Sequence, residues 1–431
     1  MKSLVAKLIK KTFVRNVIIV ATGTAAAQFV TIILSPIITR LYGPEAFGLL
    51  GVFTAVIAII VPIATLTYPI AIVLPRSDNE AKGIVRLSIY ISLIIAIITA
   101  LFLLTFHQSI VQLFNLEAIS SFLFLIPIVI VFSGVLQVTE QWLIRKKQFK
   151  VTAKVTFLQA IFIQGSKVGI GLINPIAAVL IIITVIGQIL KPVMMIIFVK
   201  RSPQSTTHVV QDEDPEVSIK KLAKEHKDFP LFRAPEVLLN AISQGLPILM
   251  LTSFFGPASA GFYSLGKTVL SAPSQLLGKS VTDVFYPRIS EASKNGENLY
   301  ALIKKSTLAL GVIGLIPFGI IVVFSPYIFG LIFGAGWEVA GEYTRWLAIW
   351  SYIGFMNRPS VAAIPVLSAQ LFFLKYSVIS ILLRLGALAT GYFVFSSDLV
   401  AVAFFGIMSA LLNLVLILYT LNISKGFNKG I

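Results

Sequence analysis

The sequence predicts an all-α integral membrane protein with about twelve transmembrane helices in two six-helix bundles. Three observations lead there. Of 431 residues, 57% are apolar and only 12% charged, about half the charged share of an ordinary soluble chain. The apolar residues gather into about twelve stretches of roughly 20 residues, the length that crosses about 30 Å of hydrocarbon. One long polar segment then divides those stretches six and six. The expected organisation is an N-terminal bundle over 1–199, a cytoplasmic linker over 200–233 and a C-terminal bundle over 234–431.

The elements follow in order. Leu4, Val5, Leu8 and Ile9 share a helical face with lysines opposite, which predicts a short amphipathic helix on the inner membrane surface. The first apolar run passes Ala25-Ala26-Ala27 and continues to Ile38, too long for a secretory signal. The first six spans are expected near 17–38, 46–74, 84–106, 119–143, 155–173 and 175–199. The linker contains Asp214 as N-cap and Pro215 at the first helical position, ahead of an apolar face of Ile219, Leu222 and Ala223 ringed by lysines. Six more spans are expected near 234–255, 260–284, 301–324, 339–363, 371–395 and 400–421.

Lys and Arg number 35 against 18 Asp and Glu, a net charge of +17. With the amino terminus inside, twenty-seven of the basic residues fall on the cytoplasmic side and Arg40 alone on the other. The positive-inside rule therefore predicts a multi-pass protein of the bacterial inner membrane with both termini cytoplasmic. The basic excess is spent on orientation, so no nucleic-acid partner is expected. There is no cysteine, which removes disulfides, thiolate metal sites and thiol nucleophiles together. His107, His208 and His226 form no metal-binding spacing, so no cofactor is expected.

A Gly-Pro-x-x-x-Gly frame occurs at Gly43-Pro44 to Gly48 and again 213 positions later at Gly256-Pro257 to Gly261. Pro75-Arg76 is matched 212 positions later by Pro287-Arg288. Two matches in register predict a duplicated six-span unit. Because six is even, both copies keep one orientation, related by an axis along the membrane normal with the substrate path between them.

At these segments the chain resembles a known family. Thr39-Arg40-Leu41-Tyr42-Gly43-Pro44-Glu45-Ala46-Phe47-Gly48, Gly256-Pro257 with Tyr263-Ser264-Leu265, and Ile328-Phe329-Gly330-Leu331-Ile332-Phe333-Gly334 are similar to hallmarks of Wzx-type polysaccharide flippases. That family sits in the superfamily of multidrug, oligosaccharidyl-lipid and polysaccharide transporters. The resemblance implies a MATE-like fold and an undecaprenyl-diphosphate-linked oligosaccharide as substrate, flipped to the outer leaflet by alternating access. It also implies work beside a polysaccharide polymerase and a chain-length regulator, as for O-antigen of lipopolysaccharide. Twelve spans fit repeat-unit exporters better than the lipid II flippases, which usually carry two more.

Seven basic residues lie within the expected spans: Lys167, Lys191, Lys267, Lys279, Arg345, Arg358 and Arg384. Each would cost about 2.5–3.5 kcal/mol at a helix centre facing lipid, roughly 20 kcal/mol in all, more than a typical fold's net stability. They must face water or counter-charges. Nearby acids are few, namely Asp283 with Glu140, Glu236 and Glu342 near span ends. The prediction is a wet, positive, substrate-binding cavity lined by these seven residues, with Asp283 as the ion-coupling group. Arg offers a planar fork and Lys a mobile point charge to phosphate oxygens. Local alternatives stand beside it. Lys279 and Asp283, four apart, can neutralise each other. Arg345 near the outer interface and Lys191 near the inner one can snorkel. Prolines 62, 69, 127, 247, 273 and 365 are candidate bending points.

Two other functions compete. A cation-coupled multidrug extruder of the same superfamily would favour buried acids, the opposite of the sign seen. A polysaccharide-polymerising membrane enzyme would need a large outer loop or a histidine–carboxylate constellation. Here outer loops run to about fifteen residues and His107 stands alone among them.

Overall fold

The computed structural model describes residues 12–75, 77–201 and 218–427, and the side chains at 12–18, 20, 21, 114, 200, 201, 272–284 and 287 are outside that description. The amphipathic segment around Leu4 to Ile9 and the Asp214-Pro215 helix start therefore lie outside the described residues. Among the described residues the chain forms helices and turns with no strand. The α-helices are α1 (Thr12–Ile60), α2 (Asp78–Phe114), α3 (Ile126–Arg145), α4 (Phe149–Gly171), α5 (Ala177–Arg201), α6 (Ile219–Glu225) and α7 (Ala234–Phe255). After these come α8 (Pro257–Lys294), α9 (Leu299–Phe333), α10 (Glu338–Met356), α11 (Arg358–Ala363), α12 (Gln370–Phe393) and α13 (Asp398–Phe427).

Eight stretches are long and apolar enough to cross a bilayer. One of them, Thr22–Ile63, has 42 residues, about 63 Å at 1.5 Å per residue, or two crossings of hydrocarbon. Gly43 divides it, with φ 70° and ψ 174° inside the helical run. The following Pro44 disfavours helical backbone at Gly43, and glycine accepts positive φ without steric cost. Counted as two, that stretch joins the other seven with α4, α8 and α10–α11 to make twelve crossings. These three carry polar groups, Lys167 on α4, Lys267 on α8 and Arg345 on α10 among them. Lys191 and Arg384 lie instead on stretches apolar enough to cross by themselves.

The chain divides into two compact units, Met1–Tyr42 with Leu49–Gly245, and Gly43–Gly48 with Leu246–Ile431. In the first unit the second crossing is not the continuous helix expected to Leu74. Its α-helix ends at Ile60, and 3-10 turns follow at Val61–Ile63 and Tyr68–Val73 with Leu66 and Thr67 at φ 48° and 60°. Pro62 and Pro69 remove amide donors from this stretch, and the freed carbonyls need other partners inside a membrane. Gln137 on α3 fastens the broken stretch. Its Nε2 donates to Val61 O at 2.9 Å and its Oε1 accepts from Thr65 Oγ1 at 2.7 Å. Thr67 Oγ1 donates to Phe229 O at 3.1 Å and Tyr68 Oη to Ala223 O at 3.1 Å. At the far end of the stretch Arg145 donates to Ile72 O, Pro75 O and Ser77 O at 3.2, 2.6 and 3.1 Å and pairs with Asp78 at 3.0 Å. Lys146 pairs with the other oxygen of Asp78.

The short helix α6 follows Ser218 and docks on this broken end. Leu222 is buried against Ala71, Ile72, Ala81, Ile84 and Val138, as the apolar face of Ile219, Leu222 and Ala223 requires. His107 is structural. Its Nε2 sits 3.1 Å from Ser120 O and its ring stacks on Phe124.

In the second unit the tenth crossing is broken at Asn357, where α10 gives way to α11 with Pro359 in its first turn. The expected 339–363 helix is therefore two pieces, and the chain turns at Ser368 with φ 54°. The Gly-Pro repeat is a repeat of conformation too. Gly256 has φ 89° and ψ 174°, close to Gly43. The two motifs pack on each other inside this unit. A Cβ at Gly48 would stand 1.7 Å from Pro257 O, and one at Gly261 would stand 2.2 Å from Pro44 O. The second match does not share a conformation, because Pro75 lies in a loop and Pro287 inside α8. Between α8 and α9, Arg288 grips Glu297 through two bonds of 3.0 and 2.6 Å, and this hydrogen bonding holds the carboxyl below its ordinary range.

Candidate functional site

The seven cations separate into different environments. Lys191 Nζ is 2.8 Å from Glu140 Oε1, joining α5 to α3. Arg345 has two partners within the second unit, Glu342 Oε2 at 2.9 Å and Val322 O at 2.9 Å. The second contact has a chain-chemical cause. Pro326 lies inside α9 and has no N–H for the carbonyl four residues back, which is Val322. Arg345 Nε fills the missing donor position. Ser325 Oγ reinforces the kink by donating to Gly341 O at 2.7 Å, and Gly341 leaves no room for a Cβ beside Pro326. Arg345 thus holds two helices together, and Lys191 has a counter-charge of its own.

Lys167, on α4 of the first unit, is half-buried, and no carboxylate pairs with it among the described residues. Its backbone oxygen accepts from Tyr42 Oη at 2.8 Å, and Tyr42 packs so close to Gly171 that a Cβ there would meet the ring at 2.6 Å. One turn before it, Gln164 Nε2 reaches Thr31 Oγ1 on α1 at 3.3 Å. Lys167 is therefore set on a face where α4 shows polar groups to α1, not on its Ile161 and Phe162 side, which is exposed.

In the second unit Lys267 and Arg384 lie at two ends of one aromatic chain. Lys267 Nζ is 6.0 Å from the centre of the Tyr263 ring, and Arg384 Cζ is 5.8 Å from that of Trp350, both in cation–π range. Tyr263 and Trp350 each meet Phe405 edge-on, at 6.1 and 5.5 Å. Helix periodicity explains the placement of Arg384. Leu371, Leu374, Val378 and Leu382 form the exposed stripe of α12, whereas Ser380, Leu388 and Gly391 are buried on the other side with Arg384 half-buried among them. The guanidinium points away from the lipid-facing stripe. Arg358, at the start of α11, is exposed and makes no ion pair among the described residues. The side chains of Lys279 and Asp283 lie outside the described residues, so neither their mutual pairing nor a coupling role has a geometry here.

Several functional groups had no signal in the sequence beyond their polarity. Gln137 and Arg145 rebuild the broken second crossing, as described. Ser259 Oγ donates to Asp398 Oδ2 at 2.9 Å beside the buried Tyr343, so this acid is built into the packing of α8 and α13. No group of three or more His, Cys, Asp or Glu that could hold a metal occurs among the described residues.

This architecture recurs in known transporters. The chain is similar to an inward-closed structure of the lipid II flippase MurJ, with a TM-score of 0.70, 14% identity, and 94% of this chain and 87% of that one covered. It is also similar to an inward-facing structure of a multidrug resistance MATE family transporter of the MOP superfamily, with a TM-score of 0.68, 14% identity, and 93% and 96% covered. These likenesses show the fold. Among curated proteins it is 24% identical over 348 residues to the succinoglycan biosynthesis transport protein ExoT of Rhizobium meliloti (strain 1021), covering 79% of this chain. The chain spans 66% of that relative's length. A family described as polysaccharide biosynthesis protein matches residues 37–342, well over half of the chain. The twelve-crossing helical chain with inward-turned cations therefore belongs to the polysaccharide biosynthesis protein family.

Proposed function

We propose that this chain is a flippase that carries undecaprenyl-diphosphate-linked oligosaccharide repeat units from the cytoplasmic to the outer leaflet of the bacterial inner membrane. Family membership supports a role in polysaccharide assembly, and the transporter fold supports translocation without bond making. The observation that carries the substrate class is the state of the intramembrane cations. Lys167 and Arg384 lie inside their units with no carboxylate paired to them among the described residues. A charge in that position favours an anionic ligand, because removing it from water is costly and no carboxylate of the described residues neutralises it.

In this reading Lys167 and Lys267 contact the diphosphate, Arg358 and Arg384 add positive potential, and Lys191, Lys279 and Arg345 support the helices that present them. The bundles 1–199 and 234–431 are the moving parts of alternating access, tethered by 200–233, with both termini cytoplasmic. Outward movement of negative charge across an inside-negative membrane gains about 2.3 kcal/mol per charge per 100 mV, so the potential can drive the step. Asp283 is the group to test for ion coupling. A polymerase and a chain-length regulator take over the repeat units outside, and the lipid tail stays among membrane lipid throughout.

The test is complementation in cells that lack their own exporter. Lys167→Ala and Lys267→Ala should each lower surface polysaccharide about tenfold, the loss of one charge-assisted phosphate contact, at unchanged membrane abundance. Full export by the double variant at normal abundance removes the cationic reading. Expression that instead lowers susceptibility to cationic dyes, with no effect on polysaccharide, favours a drug extruder.

A further inference from the structure

A membrane helix that meets only lipid and packed neighbours has no need of an ordered polar face, yet the first crossing carries one. Of its five polar side chains between 17 and 38, Thr24, Gln28, Thr31 and Ser35 recur at intervals of four, three and four, which sets them on one side of α1. Phe29, Ile33 and Ile37 are exposed on the opposite side, the one suited to lipid. Within the stripe Thr24 and Gln28 are exposed, and Thr31 and Ser35 are half-buried. The stripe follows the seam between α1 and α4. Gly23 abuts Ala153 so closely that a Cβ would stand 2.5 Å from the alanine Cβ. Further along, Gln164 Nε2 donates to Thr31 Oγ1 at 3.3 Å, and Tyr42 Oη closes on Lys167 O. Threonines elsewhere in this unit satisfy their hydroxyls on their own helix, as Thr54, Thr139 and Thr184 do. A glutamine amide, with two donors and an acceptor oxygen, is not satisfied in that way. Gln28 has no partner among the described residues, and Gln164 uses one N–H and leaves its carbonyl oxygen unused there.

We propose that this stripe and Gln164 form the wall that receives the sugars of the lipid-linked oligosaccharide, beside the Lys167 contact to its diphosphate. The inference rests on the flippase reading and gives the glycan a surface of its own within the first unit. Lys167 follows Gln164 by one turn on the same side of α4, so the cation and the neutral wall adjoin. From Thr24 to Ser35 the stripe spans about 16 Å at 1.5 Å per residue, longer than a single pyranose ring. It contains no charged group, so an ion gains little from it. An apolar ligand would leave the two amides unmet, which is unfavourable away from water. A sugar hydroxyl both donates and accepts, and so meets the unused N–H and C=O groups of Gln28 and Gln164 alike.

The test measures the affinity of the full-length chain in nanodiscs for two lipids. One is bare undecaprenyl diphosphate, and the other is the undecaprenyl-diphosphate-linked repeat unit purified from the cells that lack their own exporter. The unaltered chain should bind the repeat unit more tightly. Gln28→Leu should weaken the repeat unit about tenfold and leave the bare lipid within about twofold, and adding Gln164→Leu should bring the two lipids to about equal affinity. Gln28 is exposed, so its variant decides alone if Gln164→Leu does not fold. Equal affinity of the unaltered chain for both lipids overturns the wall. So does a Gln28→Leu variant that keeps full affinity for the repeat unit, or one that loses both lipids alike. Lys167→Ala separates this outcome from the diphosphate reading, because it should weaken both lipids together. If Lys167→Ala weakens neither, the diphosphate contact falls, and the Gln28→Leu result still decides the sugar wall.

Discussion

The two units treat buried polarity in opposite ways. In the first, a crossing breaks in mid-membrane, and the groups released are met by named partners, Gln137, Thr67, Tyr68 and Arg145. In the second, the helices carry fewer irregular turns, yet eight of the ten buried side-chain polar atoms left without a partner among the described residues are found there, from Ser264 to Ser409. A broken helix does not by itself make a wet interior. What matters is whether other side chains reach the freed groups, because an unmet buried donor costs about 1–3 kcal/mol unless water or an ion supplies the bond. The first unit closes its break with side chains, and the second leaves more of its buried polar atoms for water or an ion to meet.

That contrast can be broken in order of expected effect. Arg145→Ala should be the most damaging, about 3 kcal/mol, because it takes a donor from Ile72 O, Pro75 O and Ser77 O and one of the two cations from Asp78; the readout is the thermal midpoint of the purified chain in lipid. Gln137→Leu should cost about 2 kcal/mol by leaving the Thr65 hydroxyl unmet and Val61 O with the Ala64 amide alone. A stable Gln137→Leu variant means that water enters the first unit as well. Arg345→Met should cost about 1.5 kcal/mol, and adding Pro326→Ala should recover most of it, since alanine restores the amide that Val322 O lacks. No recovery in that double-mutant cycle removes the proline-kink account of Arg345. Smallest are Ser380→Ala and Ser409→Ala, expected within about 1 kcal/mol of the unaltered chain, because neither hydroxyl donates to a backbone carbonyl. A loss as large as that of Gln137→Leu erases the difference between the units.

Much of the fold is legible in the sequence, because apolar length and the Gly-Pro repeat act locally. The stripe Leu371, Leu374, Val378, Leu382 already implies that Arg384 turns inward. The breaks are less legible. Pro62 and Pro69 mark the second crossing as bendable, but prolines of equal prominence at 247, 317 and 326 sit inside continuous helices. The groups that fasten a break or a kink lie far off in the chain. Gln137 is 76 positions from Val61, and Arg345 is 23 from Val322. No periodicity carries that pairing. For the same reason all seven intramembrane cations look alike in sequence, while the structure gives Lys191 and Arg345 internal partners and leaves Lys167 and Arg384 without a carboxylate.

The facing glycines at 48 and 261 have a consequence for how this chain can change over generations. Copies of a duplicated segment ordinarily drift apart, since each answers only to its own surroundings. Here each copy is the mould in which the other is cast: a methyl group at either position would overlap a main-chain oxygen of the opposite Gly-Pro turn, and main chain cannot step aside as a rotamer can. Neither half is free to gain bulk alone, so the kinship of the two halves should outlast the erosion of nearly everything around it.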